Sequence, residues 1–125
     1  MVDYEYNYKD EAFRAQPNFG YYKNTGNLYF TVRIHGVGVM SRLMDITEKY
    51  NVKLPYLHSL IWEGYKNSNI NFLLQYNFGE VVGDKIIIDD GEFIVFKFYE
   101  EPLQNLDEKM LNKYKDNFLK YNSKT

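Results

Sequence analysis

The run "KIIIDDGEFIVFKFY", residues 85–99, constrains this chain more than any other stretch. Two β-rich segments flank Asp90-Gly91, a dipeptide suited to the positive φ angles of a tight hairpin turn. It predicts antiparallel pairing. Ile86, Ile87 and Ile88 are apolar at consecutive positions, so their strand is predicted to lie at the centre of its sheet, covered on both faces.

"NFGYYKNTGNLYFTVRIH" predicts a second hairpin, turning at Lys23 to Gly26, where Asn24 and Gly26 accept positive φ. In its returning strand Leu28, Phe30, Val32 and Ile34 share one face, and Tyr29, Thr31, Arg33 and His35 share the other. The first face is expected in the core and the second against solvent or a site. "YEYNYK" alternates Tyr4, Tyr6 and Tyr8 with polar residues, which predicts a strand, and residues 1–16 read as a loose arm or an edge strand. "INFLLQYNF" alternates Ile70, Phe72, Leu74, Tyr76 and Phe78 with other residues. It predicts a strand that makes a three-stranded meander with the 85–99 hairpin.

Helical spacing appears in "VMSRLMDITEKYN", where Val39, Leu43, Ile46 and Tyr50 form one stripe. Residues 56–65 fit either period, and the reading leans to a short helix after Pro55. The last segment reads as an amphipathic helix with Asn105 and Glu108 as a capping box. Its buried stripe is expected to be Leu106, Met110, Tyr114 and Phe118. The expected fold is one α+β domain over residues 1–125. An antiparallel sheet, made of the N-terminal hairpin and the C-terminal three-stranded meander, is packed by one or two central helices and the C-terminal helix.

The 125 residues include no cysteine, which excludes a disulfide scaffold, a thiolate zinc site and a cysteine nucleophile. No signal-like start and no apolar run of membrane-spanning length occurs, so a cytoplasmic protein without a membrane partner is expected. It would be bacterial, or in the host cytoplasm if phage-encoded. A net charge of −2 disfavours nucleic acid as a partner. Lysine far outnumbers arginine, and Asn, Tyr and Ile are common, a bias typical of AT-rich genomes such as those of low-GC bacteria and their phages. The acidic N-terminal stretch and the lysine-rich C-terminal segment read as solvated ends, or as complementary surfaces between copies, so a homo-oligomer stays open.

The stretch "RIHGVGVMSRL", residues 33–43, leads from the predicted strand into the predicted helix. A helix start presents unpaired N–H groups to an anion, and Gly36 and Gly38 would let a phosphate approach the backbone. Arg33, His35, Ser41 and Arg42 add donors, and Arg offers a planar fork suited to phosphate. Neither a P-loop nor G-x-G-x-x-G is complete here, so the corner reads as a turn first and a cradle second. Tyr22 and Tyr29 are candidates for stacking on a base, and Tyr4, Tyr6 and Tyr8 for an interface, where tyrosine is favoured. On that interface reading, residues 1–9 are expendable for the fold. His35 and His58, the only histidines, have no metal-ligand spacing, and no metal or cofactor is expected. No stretch resembles a known family. The expectation is a non-catalytic binding protein, a phage or mobile-element inhibitor of a host or defence system. It would sequester a small nucleotide-like anion or occupy a protein partner. The alternative is a small cytosolic enzyme acting on a phosphorylated or nucleotide substrate.

Overall fold

The computed structural model describes residues 4–23, 25–34, 38–43, 54–62, 67–88 and 91–122, with the backbone alone at 38–43, 84, 88, 121 and 122. Its architecture is α+β. Strands β1 (Tyr4–Tyr8), β2 (Glu11–Tyr21), β3 (Leu28–Ile34) and β4 (Gly38–Leu43) form an antiparallel sheet, sheet A, in the order β1-β2-β3-β4. Strands β5 (His58–Trp62), β6 (Gly79–Ile88) and β7 (Gly91–Phe98) form sheet B in the order β5-β7-β6. The described helices are α1 (Ser68–Gln75), α2 (Glu100–Leu106) and α3 (Glu108–Asn122).

Both expected hairpins form. β2 pairs with β3 from Ala15 opposite Ile34 to Tyr21 opposite Leu28, and Gly26 in the turn has φ 76°. Leu28, Phe30, Val32 and Ile34 are all buried, joined across the pair by Ala15 and Phe19. β6 and β7 pair with Ile88 opposite Gly91, so Gly91 opens β7 rather than lying in the turn expected at Asp90-Gly91. Asn24, Asp89 and Asp90 lie outside the described residues.

Several local expectations are corrected. Residues 38–43 are a strand, not the start of a helix, because the edge of β3 offers a ladder that Val39 to Leu43 complete. The remainder of that expected helix, including Ile46 and Tyr50, lies outside the described residues. Residues 58–62 are β5 rather than a helix, paired to β7 from His58 opposite Lys97 to Trp62 opposite Phe93. Residues 68–75 are helix α1 rather than a strand. The alternation there coincides with a helical pattern, in which Asn69, Ile70, Phe72 and Leu73 are buried and Leu74 is exposed. The helix ends at Asn77, whose φ of 56° is left-handed. There Asn77 N–H donates to the Leu74 carbonyl at 3.2 Å, and Phe78 N–H to the Leu73 carbonyl at 3.0 Å. This doubly bonded stop is the one in which Asn commonly replaces glycine. The third strand of sheet B is therefore β5. Ile86 to Ile88 sit on β6, an outer strand, while β7 is central.

The C-terminal helix is capped two residues later than expected. Met110 N–H donates to Asp107 Oδ1 at 3.1 Å, so Asp107 is the cap, and Asn105 falls inside α2. Tyr114 is fully buried, Leu111 joins it, and Met110 and Phe118 pack at the margin. Phe30 lies between Phe98 at 5.1 Å and Phe78 at 5.2 Å, ring centre to ring centre. Gly79 stands where β6 begins. A Cβ there would strike the Lys97 carbonyl, the Phe96 ring and the Phe98 backbone.

The Tyr114 hydroxyl accepts a hydrogen bond from Leu57 N–H at 2.7 Å, and the ring stacks on Tyr56 at 5.6 Å and 9°. Burial pushes the Tyr114 phenol up to about 12, with the Leu57 bond opposing. Burial, then the hydrogen bond to Glu100, also raises Tyr56, and that bond draws Glu100 down. A phenol with a raised folded value stabilises the fold fully below its ordinary value of 10, and this is lost as pH rises through about 12. The urea midpoint is therefore expected to fall between those limits. Tyr114→Phe is expected to lower stability at neutral pH by about 1–3 kcal/mol, since Leu57 N–H loses its buried partner, and to flatten the alkaline decline. A midpoint indifferent to alkaline pH in the parent protein contradicts this.

Candidate functional site

The outer face of sheet A collects polar and charged side chains, with Glu5 of β1 directly opposite Arg14 of β2. β2 and β3 alternate, so Leu28, Phe30, Val32 and Ile34 turn inward while Tyr29, Thr31 and Arg33 turn outward. Gly20 lies opposite Tyr29, Asn18 opposite Thr31, and Gln16 opposite Arg33. Arg33, Arg14, Gln16 and Asn18 are exposed, and Tyr29 is half-buried. The Tyr29 ring lies across Gly20. A Cβ at Gly20 would come within 2.5 Å of the Tyr29 hydroxyl and 2.6 Å of Cζ. Only glycine lets the ring rest on the sheet in this way. The Tyr22 ring stands 5.1 Å from it, tilted by 44°.

Part of the sequence-predicted site meets here. Arg33 is on β3, where the ladder shifts register between Val32 and Arg33, an irregularity that re-aims side chains. Across from β3, Gly38 lies opposite Ile34, Ser41 opposite Val32, and Arg42 opposite Thr31. His35 and Gly36 lie outside the described residues. The helix start that was to supply unpaired N–H groups does not exist at Gly38 to Leu43, so a cradle of that kind is corrected. Arg14 was missed. The alternation of "EAFRAQPNFGY", with Ala15 and Phe19 inward, puts Arg14 outward beside Gln16, and that signal was available.

The tyrosines of β1 serve the fold. Tyr6 is buried, and Tyr4 and Tyr8 pack against the core. The Tyr6 hydroxyl bonds to Ser68 Oγ at 2.8 Å and donates to Asn69 Oδ1 at 2.5 Å. Asn69 Nδ2 in turn donates to the Trp62 carbonyl at 2.9 Å. Glu5 N–H donates to the Tyr76 hydroxyl at 2.8 Å, and the Tyr4 ring meets Tyr76 edge-on at 4.9 Å. β1 is thus an edge strand bolted to α1. The interface expected of Tyr6 gives way to core packing, and Tyr4 and Tyr8, half-buried, keep part of each side chain at the surface.

Two other surfaces stand out. A cleft of about 380 Å³ lies between the β1–β2 turn and α1, lined by Asn7, Lys9, Asp10, Glu11, Asn71 and Gln75 among others. Its mixed charges do not select an anion. On sheet B, Trp62, Phe93 and Ile86 form one row across β5, β7 and β6. Trp62 is 42% exposed and Ile86 37%, while Phe93 between them is buried, so the row is open to solvent only at its two ends. Among the described residues no group of three or more His, Asp or Glu side chains is placed to hold a metal, and no helix is long and apolar enough to cross a membrane.

The chain shows no significant match to a protein-family model, a curated protein or a solved structure.

Deleting residues 1–9 is expected to abolish cooperative urea unfolding. It removes the Tyr6 ring from the core and leaves buried Ser68 and Asn69 without their partner. A truncated chain with the parent's midpoint and slope would show that β1 is expendable.

Proposed function

We propose that the protein is a non-catalytic binding protein that holds a small nucleotide-like anion on the outer face of sheet A. One observation carries this reading: the Tyr29 ring rests on Gly20 on the sheet face that also bears the exposed Arg14 and Arg33. A ring lying on a sheet offers a π-face to a base, and guanidinium groups nearby take the phosphate. Along β3, the row of Thr31 and Arg42 is about 7 Å from Tyr29 and Arg33 about 14 Å, at roughly 3.4 Å per residue. That span suits one or two nucleotides. The net charge of −2 supports a small ligand over a long polyanion. Tyr22 flanks the base, Arg33 forks onto phosphate, and the β4 backbone at Arg42, opposite Thr31, borders the site, whereas Ser41, opposite the inward Val32, falls on the other face.

The lysine-rich, Asn-, Tyr- and Ile-rich composition supports the finer reading of a phage or mobile-element protein. Such a protein would inhibit a host or defence system by withdrawing the ligand. A second reading, occupation of a protein partner, is supported by the exposed Trp62 and Ile86 on sheet B.

Equilibrium dialysis against mono- and dinucleotides tests the first reading. Arg33→Glu is expected to weaken binding at least about tenfold, the loss of one charge-assisted phosphate contact, with an unchanged melting temperature. Binding unaffected by Arg33→Glu, or no binding by the parent protein, overturns it.

A further inference from the structure

We propose that the cleft between β1 and α1 binds a short extended peptide segment carrying a positive charge, which pairs with the open edge of β1 at Asn7. The β1–β2 hairpin fixes which backbone groups face that edge. Tyr8 lies opposite Glu11 and closes the two-residue turn at Lys9 and Asp10, both with left-handed φ. Such a closing pair exchanges its hydrogen bonds across the hairpin, so alternation turns the N–H and C=O of Asn7 and Glu5 to the other side. The Glu5 N–H obeys this, leaving the sheet to reach the Tyr76 hydroxyl at 2.8 Å. That bond ends the usable edge at Glu5. Asn7 is the next outward-facing position. Among the described residues its N–H and C=O have no partner, and Asn7 lines the cleft.

The opposite wall suits a peptide backbone. At about 380 Å³ the cleft falls in the lower part of the range for ligand sites. Asn71 and Gln75 line it from α1, four residues apart, and neither carboxamide has a hydrogen-bond partner among the described residues. A carboxamide offers a donor and an acceptor side by side, as a peptide unit does. A segment laid antiparallel on Asn7 gives its middle residue to β1, accepting from the Asn7 N–H and donating to the Asn7 C=O. Its two neighbours turn their N–H and C=O the opposite way, towards α1. Those neighbours lie about 7 Å apart, at roughly 3.4 Å per residue, and helix residues four apart have Cβ atoms about 5–6 Å apart. Asn71 and Gln75 can therefore meet one neighbour each. At the turn end Asp10 and Glu11 line the same cleft against Lys9, whose ammonium lies 5.4 Å from the centre of the Tyr8 ring. The excess of acidic groups favours Lys or Arg on the peptide over Asp or Glu.

The cleft is at the β1 edge of sheet A, whereas Tyr29 and Arg33 are on β3, so this proposal stands apart from the anion reading. Nuclear magnetic resonance titration of the full chain with the blocked tripeptide acetyl-Ala-Lys-Ala-amide tests it. Saturable shifts are expected at the Asn7 N–H and at the side-chain amides of Asn71 and Gln75. N-methylation of the central lysine removes the donor to the Asn7 C=O, and acetyl-Ala-Glu-Ala-amide reverses the charge. Each is expected to bind about tenfold more weakly. The double variant Asn71→Ala, Gln75→Ala is expected to weaken the unmodified tripeptide by about tenfold as well. Its melting temperature is expected to be unchanged, because both side chains are exposed. No saturable shift, or shifts that leave Asn7, Asn71 and Gln75 unmoved, overturns the proposal. Equal binding of acetyl-lysine-amide also overturns it, since the ligand is then a simple amine. Equal binding of the N-methylated peptide overturns the pairing with β1, and equal binding of the glutamate peptide overturns the charge preference.

Discussion

Phe30 is the residue on which the two sheets turn. It lies on β3 at the middle of sheet A and is fully buried. Its ring stacks on Phe98, the last residue of β7, at an interplanar angle of 20° and meets Phe78, just before β6, edge-on at 61°. Phe78 in turn contacts Phe72 of α1, and Phe72 contacts Tyr6 of β1. One chain of rings therefore ties sheet A, sheet B and the helix between β5 and β6. Aromatic pairs at such spacings each add about 0.5–1.5 kcal/mol beyond the area they bury. Gly79 is bound to this arrangement, because only a residue without Cβ lets β6 start so close to Phe96 and Phe98.

The ring cluster leaves the two sheets with unlike exteriors. Sheet A turns a polar face outward, with arginines on adjacent strands and one tyrosine laid on a glycine. On sheet B the exposed apolar side chains include Trp62 at the end of β5 and Ile86 and Ile87 on β6. The chain thus carries two unlike exposed surfaces on one aromatic core.

The candidate site was partly readable. Tyr29 and Arg33 share a face by simple alternation in "LYFTVRI", and their outward placement follows from Leu28, Phe30, Val32 and Ile34 turning inward. What alternation could not reveal is the neighbour across the strand. Gly20 is nine residues from Tyr29 in sequence, and only the register of β2 on β3 brings it beneath the ring. Arg14 likewise joins Arg33 through pairing. The corner at Gly36 and Gly38 misled for the opposite reason. Its local chemistry fits a helix start, but an open strand edge beside it decides the backbone, and tertiary pairing overrides local preference.

By itself the sequence determined the α+β class, both hairpins and the amphipathic C-terminal helix, because each rests on a local period joined to a turn or a break. The tertiary structure alone decided the identity of the third strand in sheet B. In residues 68–78 a two-residue and a helical period overlap, and both place Ile70 and Phe72 inward. The helix prevails because Asn77 closes it and Tyr6, sixty-odd residues away, satisfies buried Ser68 and Asn69. Partners so distant leave no mark on the local pattern. The same holds for the isoleucine run. Three consecutive apolar residues read as a central strand, and only the order β5-β7-β6 assigns them to an outer one.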